Sequence, residues 1–539
     1  MKKSILFLTA CGISLMASAQ YTFDALQLSQ TELRGTSRYM SMAGAFGALG
    51  GDISVINQNP AGIGVYRSSD LGITLSLDLN SSTTDNLKTS QTKFNVNNVG
   101  YVGALKLDSE TMPNINWGFT YSRTNSFNRH ARGAAYSIPT SITNYLADQA
   151  NADGVTVEKD LDPEGVNPFY DRNAAWNQIL AYSTYLINPT DASGTKFNGL
   201  GFEGVYGDAE YEVEERGHTD EFSISLGGNI ANMLYWGMAL GIDDMYYTYN
   251  RYYGEALENT VIYNKKDDPD ADYVDGNANL GIVDWNRTTG TGYNFKIGAI
   301  LKPVNALRLG LAFHTPTYYD MKDTYYTVMR SEFYGDNVAE KNNEYSVEDE
   351  SPVNSTYYQI RTPWRFIGSV AGVIGTKGII SADYEYVGNT GIRILDDRGN
   401  EILGATPEIK QFLSPSHIIR LGGELRLTPN WSLRAGYSYQ TSNAAKDVRD
   451  YEGAYNGTKD LTPVVVGGSS PAYSYDRSVQ HITAGIGYHY KNFYLDMAYV
   501  HKYRQNTYNA FPLDNDALNV KWKINDHNNR ISATLGFRF

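Results

Sequence analysis

Apolar residues recur at every second position in fourteen separate stretches of this chain. Successive side chains of a β-strand point to opposite faces, so this alternation predicts strands with one apolar and one polar face. The first stretch carries Leu71, Ile73, Leu75, Leu77 and Leu79, and the second Val99, Tyr101, Leu105 and Leu107. After a short link at Pro113, the third carries Ile115, Trp117, Phe119 and Tyr121. Five hairpins follow. Run 222–230 turns at Ala231-Asn232 into 236–242, and 293–299 turns at Pro303-Val304-Asn305 into 307–313. Run 364–370 turns at Thr376-Lys377-Gly378 into 380–386, and 419–425 turns at Thr428-Pro429-Asn430 into 431–439. Run 482–490 turns at Lys491-Asn492 into 493–499, and 531–539 closes the set on Phe539.

Every second link is thus a tight turn built on Asn, Pro or Gly. The others, such as 125–217, 248–290 and 314–362, are long and polar. The even count and this rhythm predict an all-β fold, a transmembrane antiparallel β-barrel of about 14 strands with short periplasmic turns and long extracellular loops. A soluble sandwich would not need one set of turns to be uniformly short. Arg420, Glu424 and Arg426 alternate with Ile419, Leu421 and Leu425, and Ser381, Asp383 and Glu385 with Ile380, Ala382 and Tyr384. An Arg or Lys on the lipid face costs about 2–4 kcal/mol at the midplane, so these rows are expected to face the lumen. Trp431, Phe493, Phe537 and Phe539 gather at one edge, and Tyr121, Tyr386, Tyr439 and Tyr499 at the other, as aromatic girdles do.

The ends of the chain agree. Lys2 and Lys3, the apolar stretch 5–16 and Ala17-Ser18-Ala19 read as a signal peptide over 1–19, with the mature protein starting at Gln20. Leu8-Thr9-Ala10-Cys11 also matches a lipoprotein signal, but cleavage there would leave too short an apolar core. Cys11 is the only cysteine, so the mature chain is expected to hold no disulfide, thiolate metal site or cysteine nucleophile. The formal net charge of −14 argues against nucleic-acid partners. The 43 tyrosines suit the girdles. A final strand ending on Phe is what the barrel-assembly machinery of such proteins reads, which places the protein in the outer membrane of a Gram-negative bacterium, among its lipid and lipopolysaccharide, as a monomer.

Residues 20–69 read differently. Run 35–52 is rich in Gly, Ala and Ser, which permits close packing, and Asn59-Pro60-Ala61-Gly62 makes a turn before the first strand. The expected organisation is an N-terminal hatch over 20–69 inside a barrel formed by 70–539. Here the chain resembles the FadL/TodX outer-membrane transporters of long-chain fatty acids and other hydrophobic compounds. The resemblance rests on Ala43-Gly44-Ala45 with Asp52, on Asn59-Pro60-Ala61, and on the strand end Gly310-Leu311-Ala312-Phe313-His314-Thr315-Pro316. Thr315 stands where the family has Ser, and Gly50-Gly51 precedes Asp52. The resemblance implies uptake of a hydrophobic small molecule: capture by outer loops, passage into an apolar pocket, and lateral exit past a hatch braced by Asn59, Pro60 and Ala61. The plainer reading of that tripeptide is a turn that closes a plug.

Within loop 125–217, Thr140 or Ser141 is expected to cap a helix carrying Ile142, Tyr145 and Leu146, and Asp171 one carrying Trp176, Ile179, Leu180, Tyr182 and Leu186. Their apolar faces either pack the loop or form an exposed groove that catches ligand. Asp268, Asp270 and Asp272 have calcium-loop spacing, but Tyr273 and Asn279 replace the needed Gly and Glu, so a solvated acidic loop is the first reading. No cofactor is expected. Rival classes are an outer-membrane receptor, for example for haem, a structural barrel, and an outer-membrane hydrolase. None of the eight histidines lies in a nucleophile motif; His501 near Asp496 and Lys502 is the best catalytic candidate.

Overall fold

A computed structural model describes residues 22–85, 87–171, 174–200, 206–263, 273–335, 344–402, 404–449, 471–511 and 520–539. The predicted signal peptide, Cys11, Gln20 and the calcium candidates Asp268, Asp270 and Asp272 lie outside them, as does the side chain of Asp171.

Among the described residues the strand segments of one sheet join end to end into fourteen antiparallel strands that close on themselves. They are β1 Asp70–Thr84, β2 Leu87–Lys106, β3 Asn114–Ser126 with its continuation Arg129–Ala135, β4 Tyr206–Ile230, β5 Leu234–Tyr263 and β6 Tyr273–Val304. Then come β7 Leu307–His314 with Tyr318–Tyr334, β8 Asn354–Arg361 with Arg365–Ile374, β9 Gly378–Val387 and β10 Ser416–Arg426. β11 Trp431–Thr441, β12 Tyr473–Tyr490, β13 Phe493–Asn509 and β14 Lys521–Arg538 complete the wall. β14 pairs with β1 from Asp70↔Arg538 to Thr84↔Ile524, which closes the barrel.

The burial pattern sorts the side chains as the alternation requires. Ile380, Tyr384, Ile419, Leu421 and Leu425 face outward and are exposed, whereas Ser381, Asp383 and Glu385 are buried inside. Arg426 differs: it sits exposed at the periplasmic end of β10, where water reaches it. Phe539 adds a last rung, exchanging backbone hydrogen bonds of 3.0 Å with Ser69. Deleting Phe539 is expected to lower the yield of folded, heat-modifiable barrel in cells, read on an unboiled gel; an unchanged yield would sink the terminal-strand signal.

Much of what reads as polar loop in the sequence is strand. β5 runs on to Tyr263, β6 starts at Tyr273 and β7 reaches Tyr334. The sidedness inverts along the way. On β5, Met238, Leu240 and Ile242 point outward, but Met245, Tyr247, Tyr249 and Tyr253 are buried inside. Beyond the bilayer the outer face meets water and the inner face meets packed protein, so the apolar row changes side.

Candidate functional site

Residues 22–66 lie inside the barrel, almost entirely buried. Helix α1, Thr22–Leu28, packs high in the lumen. Thr22 Oγ1 donates to Glu408 (2.6 Å), and the Phe23 ring lies 5.1 Å from that of Tyr473. The chain then descends to helix α2, Ser37–Ser41, and to two 3-10 turns, Ile53–Asn57 and Pro60–Val65. Buried ion pairs tie it to the wall. Arg34 donates to Asp78 of β1 (2.7 Å), which also accepts from Arg530 of β14 (2.8 Å). Lys502 of β13 donates to Glu32. Burial disfavours charge on Glu32, but Lys502, Arg34 and Arg530 outweigh it and hold the carboxyl well below its usual range. Arg38 reaches Glu424 (2.9 Å), and the backbone N–H groups of Phe46 and Gly47 donate to Asp383 (3.0 and 2.9 Å).

Asn59 makes hydrogen bonds both within its own turn and to the wall. Its Oδ1 accepts from the Ala61 N–H (3.1 Å), capping the turn that Pro60 begins, and its Nδ2 donates to Gly47 O (2.6 Å) and to Ala299 O of β6 (3.4 Å). A row of inward glycines admits this backbone. A Cβ on Gly237 would stand 2.1 Å from Pro60 O, and one on Gly310 2.3 Å from Gly47 O. Sequence reading missed these positions; the signal was Gly at inward places within apolar runs.

Beside this luminal segment lies a cavity of about 150 Å³. Its walls include Glu32, Arg34, Glu221, Lys296, Arg365 and Arg420. At this level the described residues form a charged chamber. Lys296 pairs with Glu221, and Arg420 with Glu385 (2.6 Å). Inward strand positions must be polar where they line water, which is why the lumen inherits the charged rows.

The same cavity touches the wall at residues 122–124, where the backbone ladder between β2 and β3 stops and Arg123 donates across it to Asn95 (2.8 Å). β2 pairs with β3 only between Asn98↔Ser122 and Lys106↔Asn114. Beyond that, 87–96 of β2 stays on β1, while Arg129–Ala135 leaves the β2 ladder and pairs with β4, meeting β2 through Thr89, whose Oγ1 donates to His130 O. It bends inward: Asn128 O accepts from Asn80 (2.9 Å), and Gly133 sits against Thr84 and Trp522. The buried Asn97 Nδ2 and Asn98 Oδ1 have no partner at this seam, and Phe94 beside it is 62% exposed toward the lipid level.

Among the described residues, two helices pack inside the extracellular end of the barrel. Helix α3, Ile142–Asp153, starts at Ser141, whose side chain accepts from the Thr143 N–H. Helix α4, Trp176–Ser183, starts at Ala175 rather than at Asp171; Gln178 reaches back to the Ala175 N–H (3.0 Å). Ile142, Tyr145, Leu146, Trp176, Ile179, Leu180 and Leu186 are buried in one core with Tyr211, Phe511 and Trp522 of the wall. Of the two arrangements open to them, these faces adopt loop packing, as a cap that meets the inverted inner row of the strand extensions. Only Tyr182 of the set is partly open. With Ile179, Leu161, Val166 and Phe169 it lines an open depression of about 500 Å³ on the cap surface.

Glu255, on β5 well beyond the last lipid-facing residue Ile242, holds the cap. It accepts from Ile142 N–H (2.8 Å), Ser141 (2.5 Å) and Tyr253 (2.6 Å). Burial pushes its carboxyl up to about 7 despite these donors. A raised carboxyl binds its proton more tightly when folded, so its contribution is full below the usual value of 4.5 and is lost as pH rises through 7. Cap resistance to protease should therefore fall between pH 5 and 8, and Glu255→Gln should flatten that profile; a variant with the same slope would refute the assignment.

His501 is not set up for catalysis with Asp496 and Lys502. It lies on the opposite strand face, hydrogen-bonded to Asn529 (2.9 Å), while Asp496 meets Arg434 (2.5 Å) and Lys502 meets Glu32 inside. Residues an odd number apart on a strand face opposite ways.

No family model matches the chain, and no curated protein matches it. Among solved structures, the crystal structure of a Pseudomonas aeruginosa FadL homologue aligns over 95% of this chain and 100% of its own, at 11% identity and a TM-score of 0.50. The fold is the FadL fold. The Pseudomonas putida toluene transporter TodX aligns over 95% of this chain and 99% of its own, at 10% identity and a TM-score of 0.45. For the Ralstonia pickettii toluene transporter TbuX the figures are 95%, 100%, 11% and 0.43. On this FadL fold the chain carries long strand extensions, a packed cap, a charged chamber and a seam beside it.

Proposed function

We propose that the protein is an outer-membrane channel that takes up hydrophobic small molecules, of the long-chain fatty acid or aromatic hydrocarbon class. The observation that carries this reading is the luminal cavity abutting the β2–β3 seam, where the backbone ladder stops, in a barrel whose lumen holds residues 22–66. A plain pore would need neither a plug nor a seam. Ligand is caught at the depression lined by Ile179 and Tyr182, enters when the cap around Ile142, Tyr145, Leu146, Trp176, Leu180 and Leu186 loosens, and leaves sideways at Phe94. The hatch gates the step, with Asn59, Pro60 and Ala61 as its brace. The charged chamber favours an amphiphile with a polar head over a pure hydrocarbon, because a bare hydrocarbon would strip hydration from those groups without replacing it.

The test is mass spectrometry of compounds retained by detergent-purified protein. A bound amphiphile, lost on exchange with excess fatty acid, is the expected result. Retention of nothing apolar, together with cleavage of phospholipid or peptide, would favour a hydrolase instead.

A further inference from the structure

The outer face of β5–β8 continues upward from the lipid-facing belt as a ladder of rings and cations. The pairings place its side chains in rows. The lowest is Ile242↔Tyr293↔Tyr318↔Arg361, the next Asp244↔Thr291↔Asp320↔Gln359, then Tyr246↔Thr289↔Lys322↔Tyr357 and Thr248↔Arg287↔Thr324↔Ser355, and above them Asn250↔Trp285↔Tyr326. Three cations each lie over a ring: Arg361 on Tyr318 (5.5 Å), Lys322 on Tyr357 (5.3 Å) and Arg287 on Trp285 (5.7 Å). Trp285 and Tyr326 stack with centroids 5.4 Å apart. Tyr246, Tyr293, Tyr318 and Tyr357 are 40–60% exposed.

Among the described residues, none of Arg361, Lys322 and Arg287 is in an ion pair, although the chain as a whole is acidic. The acidic neighbours Asp244 and Asp320 share one row below these cations, and Asp320 is engaged by Gln359 (3.0 Å) and Tyr293 (3.4 Å). Flat rings beside hydroxyl groups suit sugar faces, and cations held on rings suit phosphate. The position selects the source. From Ile242 to Asn250 the tilted strand climbs about 20 Å, at roughly 3.3 Å per residue and a tilt near 40°. That is the zone of sugars and phosphates directly above the acyl chains that Leu240 and Ile242 contact.

We propose that this face docks the phosphorylated sugar headgroup of an outer-leaflet glycolipid, with Arg287, Lys322 and Arg361 on phosphate and Trp285, Tyr326 and Tyr357 on sugar. Such a lipid would brace the extended strands of β5–β8 from outside. The interaction is continuous with the lipid belt and independent of what passes through the lumen.

The test uses the full-length protein in nanodiscs with purified lipopolysaccharide and native mass spectrometry. Wild type should retain the glycolipid, and Arg287→Ala/Lys322→Ala/Arg361→Ala should retain at least about tenfold less, a loss of roughly 1.4 kcal/mol. Lys521→Ala/Lys523→Ala, on the opposite side of the barrel, should match wild type. Chemically dephosphorylated glycolipid should bind wild type as poorly as intact glycolipid binds the triple variant. Equal retention by wild type and triple variant overturns the proposal. So does displacement by inorganic phosphate or phosphatidylglycerol at the concentration where lipopolysaccharide saturates, because the site would then read charge without sugar.

Discussion

A Ser37→Cys/Ser532→Cys protein, once oxidised, should take up hydrophobic ligand at least about tenfold more slowly than the same protein reduced, equivalent to raising the barrier by roughly 1.4 kcal/mol. Ser37 opens α2 of the luminal segment and Ser532 lies in the wall on β14; their Oγ atoms are 2.9 Å apart. Sulfur replaces oxygen there with little rearrangement, and a bond of about 2.05 Å closes the remaining distance. Cys11 is the only native cysteine and lies in the predicted signal, so no other thiol competes. The bond pins the hatch to β14 without touching the cap, the chamber or the seam. Reductant should restore the rate, and either single variant should behave as wild type. Uptake at an unchanged rate in a fully oxidised sample would show that passage needs no movement of this part of the segment.

The second large effect concerns Asp78. It accepts from Arg34 and Arg530 and also from Asn95 (3.1 Å), and it is 1% exposed. Asp78→Ala strips two buried guanidinium groups of their shared carboxylate, and breaking a buried pair in this way costs about 3–5 kcal/mol. The hatch loses its tie to β1 while Glu32 alone must neutralise the cluster. The expected outcome is a barrel that still inserts, because its strand pairing is intact, but whose residues 22–66 become cleavable by protease from the periplasmic side. Asp78→Asn, which keeps hydrogen bonding but not charge, should fall between the two. A luminal segment as protected as in wild type would show that the ion cluster is dispensable.

The wall was legible because a lipid-facing strand must alternate; each of the fourteen runs from Leu71 to Phe539 maps to a strand, with only the end residues Leu107, Trp364 and Phe539 just outside. The extensions were not, because their apolar row faces inward and their outer row is Thr, Tyr and Glu, as at Tyr246, Thr248 and Glu258 on β5. Ser141 announced its helix, since a cap is a local signal. Trp176 and Leu180 announced an apolar face but not where it points: packing against Tyr325 and Met329 is a tertiary fact. Asn59 and Pro60 marked a turn from local chemistry alone, whereas the contact of Asn59 with Ala299 joins positions 240 residues apart. The charged chamber was half visible in Glu385 and Arg420, yet their convergence with Glu32 and Lys296 depends on barrel closure. The seam left no trace in the apolar pattern, because it is a missing ladder rather than a missing strand.

The measurement that bears most directly on the central claim is uptake of radiolabelled long-chain fatty acid and of a labelled aromatic hydrocarbon by a host lacking its own transporter, with and without this protein in its outer membrane. The account predicts saturable uptake that requires the protein, is faster for the amphiphile, and falls on oxidation of the Ser37→Cys/Ser532→Cys form. Uptake indistinguishable from the empty host for both compounds, with folded barrel present in the membrane, would contradict it.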